Sequence, residues 1–313
     1  MEPTGVLLSI WRVFADASIE IVPYFFLALI IGALIEEYVS ERTIARFLTG
    51  TRPGTMLLAS AIGAVIPLCT CGMVPLAVSL RRRGSDLKHT FAFLTAGAAF
   101  SVPVLFLTWK VLGGEWALVR LLTSVVFGLA VGYASVWALR GVAARSAESP
   151  AAPTLGHVAA EFGDAAYDVA EIRPPRIVSV VRRLRGQVKE YFPWVVVSLA
   201  IAAIVDVLVP RHWIHVLYGE RTAAGALLAA LSGIPFYFCS GAELPLVKEL
   251  LTKEMGASSA TSMLLAVPIV NILTFGVVGR WLGPRGAFLY LALCVVSAAV
   301  IGEITGTLWA LLT

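Results

Sequence analysis

The feature that most constrains this chain is an internal duplication. Glu20, Pro23, Glu36, Gly63 and Pro75 recur about 170 positions later as Glu190, Pro193, Asp206, Gly233 and Pro245. In each copy a segment containing proline and cysteine interrupts an apolar run. The first is Ile66-Pro67-Leu68-Cys69-Thr70-Cys71-Gly72-Met73-Val74-Pro75; the second is Ile234-Pro235-Phe236-Tyr237-Phe238-Cys239-Ser240-Gly241-Ala242-Glu243-Leu244-Pro245. Hydrophobic helices broken at matching places in two copies point to a membrane transporter with its substrate site at the breaks.

Composition leads to the same environment. With 58% hydrophobic and 14% charged residues and a mean hydropathy of +0.86, the chain carries more apolar surface than a water-soluble core absorbs. Apolar runs of spanning length lie at about 18–35, 54–80, 90–112, 116–139, 191–209, 222–250, 258–282 and 287–312. The predicted fold is therefore an all-α polytopic membrane protein, with about eight segments in a 4+4 repeat and broken or re-entrant helices at the Cys/Pro/Gly motifs. Residues 1–140 form the first membrane repeat, 141–189 a cytoplasmic connector and 190–313 the second repeat. The first apolar stretch, approached by Arg12, Asp16 and Glu20, reads as a retained helix rather than a cleaved leader.

Basic residues collect in two places, both expected to be cytoplasmic. Arg81, Arg82, Arg83 and Lys88 form one loop; Arg140, Arg145, Arg173, Arg176, Arg182, Arg183, Arg185 and Lys189 belong to the connector. This charge reads as topology and lipid attraction, not nucleic-acid binding. Residues 141–175, rich in Ala and Pro, read as a flexible linker, and 176–190 as a basic amphipathic stretch on the inner membrane surface. If 54–80 crosses the membrane the copies lie parallel; if it is a re-entrant hairpin they are inverted. The lysine and arginine distribution does not choose between them.

Proline removes a helical N–H, and the backbone groups it frees cannot face lipid, so Pro67, Pro75, Pro235 and Pro245 place a cavity or protein contact at the breaks. Cys69, Cys71 and Cys239 fall at equivalent places there, and soft thiolates select thiophilic cargo such as Cu(I), Zn or trivalent arsenic. Thr70, Gly72 and Ser240 flank them. Glu243, an ionisable group at membrane depth, is a candidate to carry a proton or offset a cation, with Glu303 a second candidate. Asn271 is expected to offer a cavity hydrogen bond. Cys294 reads as a packing residue, and Lys110 and Arg280 as residues whose charges reach the headgroups.

The string Pro67-Leu68-Cys69-Thr70-Cys71-Gly72, followed by Pro75 and Ser79-Leu80-Arg81-Arg82-Arg83-Gly84, resembles the signature of the predicted permease family that includes ArsP-type organoarsenical efflux permeases. The similarity runs over nearly the whole chain. It implies a polytopic inner-membrane permease, with Pro67, Cys69, Cys71, Gly72, Pro75 and the equivalent Cys239 at its site, whose characterised relatives export trivalent organoarsenicals while others are linked to copper or zinc efflux. One departure stands out: Thr95-Ala96-Gly97-Ala98-Ala99 replaces the family's Ser/Thr-x-Pro break in the third segment, and proline arrives only at Pro103, whereas the second copy retains Val267-Pro268.

The expected function is efflux of a thiophilic toxicant by secondary transport through a midplane site. A metal or small-anion permease is the alternative, and a membrane thiol oxidoreductase would leave the duplication unexplained. No enzyme activity and no cofactor are expected; a bound metal, if any, would sit on Cys69, Cys71 and Cys239. The partners expected are the bilayer and a small-molecule or metalloid substrate, with self-association left open and nucleic acid excluded. No Gly-x-x-x-x-Gly-Lys-Ser/Thr loop occurs, so an ATP-driven pump would need a separate subunit.

Overall fold

The computed structural model describes residues 53–65, 85–138, 210–219, 224–234 and 243–312, with scattered positions in 8–30, 73–77, 181–207 and at 241. Among the described residues there is no strand, and nine helices account for most of them. They are α1 (Pro53–Val65), α2 (Leu87–Ala99), α3 (Val102–Leu112), α4 (Gly114–Ala138), α5 (Arg211–Tyr218), α6 (Gly225–Leu231), α7 (Leu244–Thr252), α8 (Ala257–Ala266) and α9 (Ile272–Leu312). The linker 141–175 lies outside the described residues.

Among the described residues, three stretches are long and apolar enough to cross a membrane: Leu87–Leu112, which joins α2 to α3 across a break, Gly114–Ala138, and Leu282–Leu311 within α9. At 25 residues, α4 is about 37 Å long, enough for a hydrocarbon layer of about 30 Å. Lys88, assigned from the sequence to a basic loop, instead stands in the first turn of α2, its Nζ 3.8 Å from Asp86.

The sequence duplication has a local structural counterpart. Gly113 (φ 100°, ψ 169°) turns the chain from α3 into α4; Gly283 (φ 76°, ψ 166°), at the matching position of the second copy, kinks α9 just before Pro284. Positive φ is a conformation that only glycine adopts without steric cost. The helices that follow then bury equivalent stripes at helical spacing. In α4 these are Ala117, Arg120, Ser124, Gly128 and Val131; in α9 they are Ala287, Tyr290, Cys294, Ala298 and Ile301. The opposite faces, with Leu118, Leu122, Val126 and Trp137 on α4 and Phe288, Val296, Val300 and Leu308 on α9, are exposed. That is the pattern of a helix packed on one side and facing lipid on the other.

Close approach of the backbones follows the same duplication. A Cβ on Gly132 of α4 would lie 2.8 Å from Lys88 O and 2.9 Å from Ala92 Cβ of α2; on Gly302 of α9 it would lie 2.5 Å from Ser258 O and 2.9 Å from Ser262 Cβ of α8. Lys88 matches Ser258 and Ala92 matches Ser262 in the repeat register, so one helix-pair contact occurs twice. Small residues let membrane helices meet at backbone distance, where dispersion and carbonyl contacts replace a hydrophobic drive that lipid cannot supply.

These glycines make a test of the packing. Gly132→Ala and Gly302→Ala should each lower thermal stability in detergent by roughly 1–3 kcal/mol, because the added methyl meets a backbone carbonyl at each site, Lys88 O and Ser258 O, that cannot move aside as the nearby Met56 Cε can. Gly276→Ala, where a Cβ meets nothing within 4 Å, should be neutral or slightly stabilising. Equal effects at all three positions would contradict the assigned contacts.

Candidate functional site

Among the described residues, a break separates α2 from α3. α2 ends at Ala99, and Phe100 and Ser101 are extended (φ −150° and −151°) before α3 begins. In a continuous helix the Ala99 carbonyl would accept the N–H four residues on, but that residue is Pro103, which has none. The first copy therefore does carry a proline break here, formed by Ser101-Val102-Pro103 just beyond Thr95-Ala96-Gly97-Ala98-Ala99. Ala99 O is left needing a donor in a region where water does not supply one.

Arg120, one turn and a half into α4, provides it. Its Nη2 donates to Ala99 O at 3.1 Å, its Nη1 to Thr108 Oγ1 on α3 at 3.3 Å, and Nη2 also reaches Glu243 Oε1 at 2.5 Å. Thr108 Oγ1 in turn donates to Val104 O at 2.7 Å. Both members of the ion pair have side chains with no solvent exposure. Arg120 belongs to the first copy and Glu243 to the second, so this charge pair spans the duplication.

Glu243 is held from its own side as well. Gly241 (φ 100°) turns the chain immediately before it, and the Gly241 N–H donates to Glu243 Oε2 at 2.8 Å. Glu243 occupies the N-cap position of α7, with Pro245 in the first turn, where the missing N–H costs no helical bond. A carboxylate there also meets the positive end of the helix dipole. The bridge thus runs from the carbonyl end of α2, through one guanidinium and one carboxylate, to the amino end of α7.

The second copy closes its corresponding break differently. α8 gives way at Val267-Pro268, and Ala266 O accepts Ile269 N at 2.9 Å and Val270 N at 2.7 Å. Asn271 then closes the turn: Nδ2 donates to Pro268 O at 3.2 Å, while Oδ1 accepts Thr274 N at 2.8 Å and Thr274 Oγ1 at 3.0 Å. Asn271, expected to offer a hydrogen bond to a cavity, spends its amide on this turn and on capping α9. Tyr290, which stands where α4 has Arg120, also crosses between copies: its hydroxyl lies 3.1 Å from Thr95 Oγ1 of α2, and its ring packs on Phe91 with centroids 5.0 Å apart.

Of the residues singled out from the sequence, Glu243, Pro245 and Asn271 are placed as above. Cys69, Thr70, Cys71, Gly72, Pro67, Pro75, Pro235, Cys239 and Ser240 lie outside the described residues. Cys294 is fully buried against Tyr290 and Thr95, a packing position. Glu303 Oε1 is buried with no hydrogen-bond partner among the described residues. No group of three His, Cys, Asp or Glu side chains that could hold a metal occurs among the described residues. Lys110 is exposed at the end of α3.

The residue missed by sequence reasoning is Arg120. Its signal was present: a lone arginine in the apolar run 116–139 needs a partner, and Glu243 was a buried acid without one.

Comparison with known proteins agrees with a membrane transporter. The sequence profile of a family described as "Predicted permease" matches residues 6–307. The UPF0718 protein MJ0584 of Methanocaldococcus jannaschii is 22% identical, with 90% of each chain aligned. The UPF0718 protein YcgR of Bacillus subtilis is 28% identical over 42% of this chain and 47% of its own. A Streptococcus mutans protein named "Putative two-component membrane permease complex subunit" is 26% identical over 42% of this chain and 44% of its own. No solved structure matches the chain. A helical chain with apolar helices long enough to cross a membrane, matched by that profile over nearly its whole length, belongs to the predicted permease family.

Proposed function

We propose that this permease is an inner-membrane secondary transporter, built as an eight-segment 4+4 repeat, that exports a thiophilic toxicant such as a trivalent organoarsenical. The observation that carries the reading is the buried Arg120–Glu243 pair at the head of the second-copy break. A pair of charges at helix ends inside apolar segments is costly to keep and marks a functional path. Cys239 precedes Glu243 by only four positions, and in the repeat register it matches the Cys69-Thr70-Cys71 motif. In this reading Cys69, Cys71 and Cys239 supply soft ligands, while Thr70, Gly72, Ser240 and Glu243 complete the site with backbone and polar contacts. Pro67, Pro75 and Pro235 break the helices that carry them.

A second reading, a small-anion permease, is favoured by the guanidinium of Arg120. The Streptococcus relative's name, a subunit of a two-component complex, motivates looking for a second membrane component that co-purifies with this chain.

The cargo assignment is tested by resistance and uptake in a sensitive host challenged with trivalent organoarsenicals, arsenite, antimonite, copper and zinc. Cys69→Ser, Cys71→Ser and Cys239→Ser should each lose resistance to the exported toxicant while insertion is retained, because serine keeps the volume but replaces a soft ligand with a hard one. Cys294→Ser should leave resistance unchanged. Full activity in all three site variants would exclude thiol coordination.

The connector gives an independent expectation. Shortening 141–175 by about ten residues should leave transport intact, since loop length enters closure entropy only logarithmically. Loss of transport at unchanged expression would show that this segment is part of the machinery.

A further inference from the structure

The hydrogen-bond demand at the Arg120–Glu243 bridge is unequal on its two sides. Glu243 has both carboxylate oxygens engaged, Oε1 by Arg120 and Oε2 by the Gly241 N–H. Arg120 offers five N–H donors in a planar fork; those on Nη1 and Nη2 reach Thr108, Ala99 and Glu243, while Nε is buried with no partner among the described residues. The group this locus lacks is therefore an acceptor. Once Glu243 lets go of Nη2, that N–H joins the unengaged Nε as one edge of the fork, which fits a small oxyanion taking two parallel N–H bonds. The nine-residue α7 starts at the same place and adds the positive end of its dipole.

We propose that Arg120 is the binding residue for a small oxyanion, a carboxylate or an inorganic oxyacid anion, and that Glu243 is its resident competitor, displaced when the ligand arrives. Glu243 keeps its Gly241 N–H and the helix start on release, so the displaced carboxylate still has a counter-dipole. The same exchange uncouples the two copies, because the bridge across the duplication is the bond that the ligand replaces. This rests on reading the breaks as the transport path, and it extends that reading from the thiols to a residue of the fourth segment.

The test reads binding directly, so its failure leaves the metalloid-efflux reading to be judged by its own assay. Purified full-length protein in detergent is titrated with acetate, phosphate, sulfate or arsenate at fixed ionic strength against chloride, and thermal unfolding is followed. At least one of these anions should stabilise the parent saturably. Glu243→Gln, which removes the competitor's charge, should bind that anion about 10-fold or more tightly, and Arg120→Gln should not bind it. A structural ion pair alone would not move the two variants in opposite directions.

The proposal is overturned if none of the four anions stabilises either the parent or Glu243→Gln, if Glu243→Gln binds no more tightly than the parent, if Arg120→Gln binds as the parent does, or if Arg120→Gln gains a cation site instead. Should either single variant fail to yield monodisperse protein, the charge-neutral pair Arg120→Gln with Glu243→Gln replaces it. Loss of anion stabilisation in that double variant supports the proposal, and retention overturns it.

Discussion

One missing proton organises the described structure. Pro103 cannot donate to the Ala99 carbonyl, and in an apolar layer that carbonyl must find another donor. Arg120 answers from α4, but a guanidinium cannot stay buried without a counter-charge, so it in turn requires Glu243. Glu243 sits where it does because Gly241 turns the chain and Pro245 opens α7. A backbone defect in the first copy is thereby bound to the start of a helix in the second. The helix pairs on either side supply the rigid frame, through Gly132 and Gly302 at backbone contact with α2 and α8.

The two copies share a frame and differ at its centre. The turn glycines, the buried stripes of α4 and α9 and the close glycine contacts repeat in register. At the stripe position where the first copy has Arg120 the second has Tyr290, and where the second has Glu243 the first has the buried Met73. One crossing between copies is therefore ionic and the other is a neutral Tyr290–Thr95 contact. The asymmetry locates polarity on one side of a nearly repeated scaffold.

Much of this was legible in the sequence, and the parts that were not have physical reasons. Helical class and the three apolar stretches long enough to span follow from apolar length, which is a local property. Glu243 was legible as an anomaly, because an acid at membrane depth is costly wherever it points. Its partner was not, since pairing across more than a hundred residues depends on tertiary packing; only the presence of a second unexplained charge in an apolar run hinted at it. The break before Pro103 was missed by looking for the residue pattern a few positions early, although the proline itself dictates which carbonyl loses its bond. Asn271 was read for its polarity, and the turn at Pro268 consumes that polarity locally.

The claim that the Arg120–Glu243 bridge holds the copies together is tested most directly by a double-mutant cycle on thermal unfolding, with Arg120→Met, Glu243→Leu and the pair combined. Each single change strands a buried charge and should cost about 3–5 kcal/mol. The double variant should recover much of that, remaining about 1–3 kcal/mol below the parent because the Ala99 carbonyl stays without a donor. Additive losses, with the double variant as unstable as the sum of the singles, would show that the two residues do not act on each other and would contradict the account.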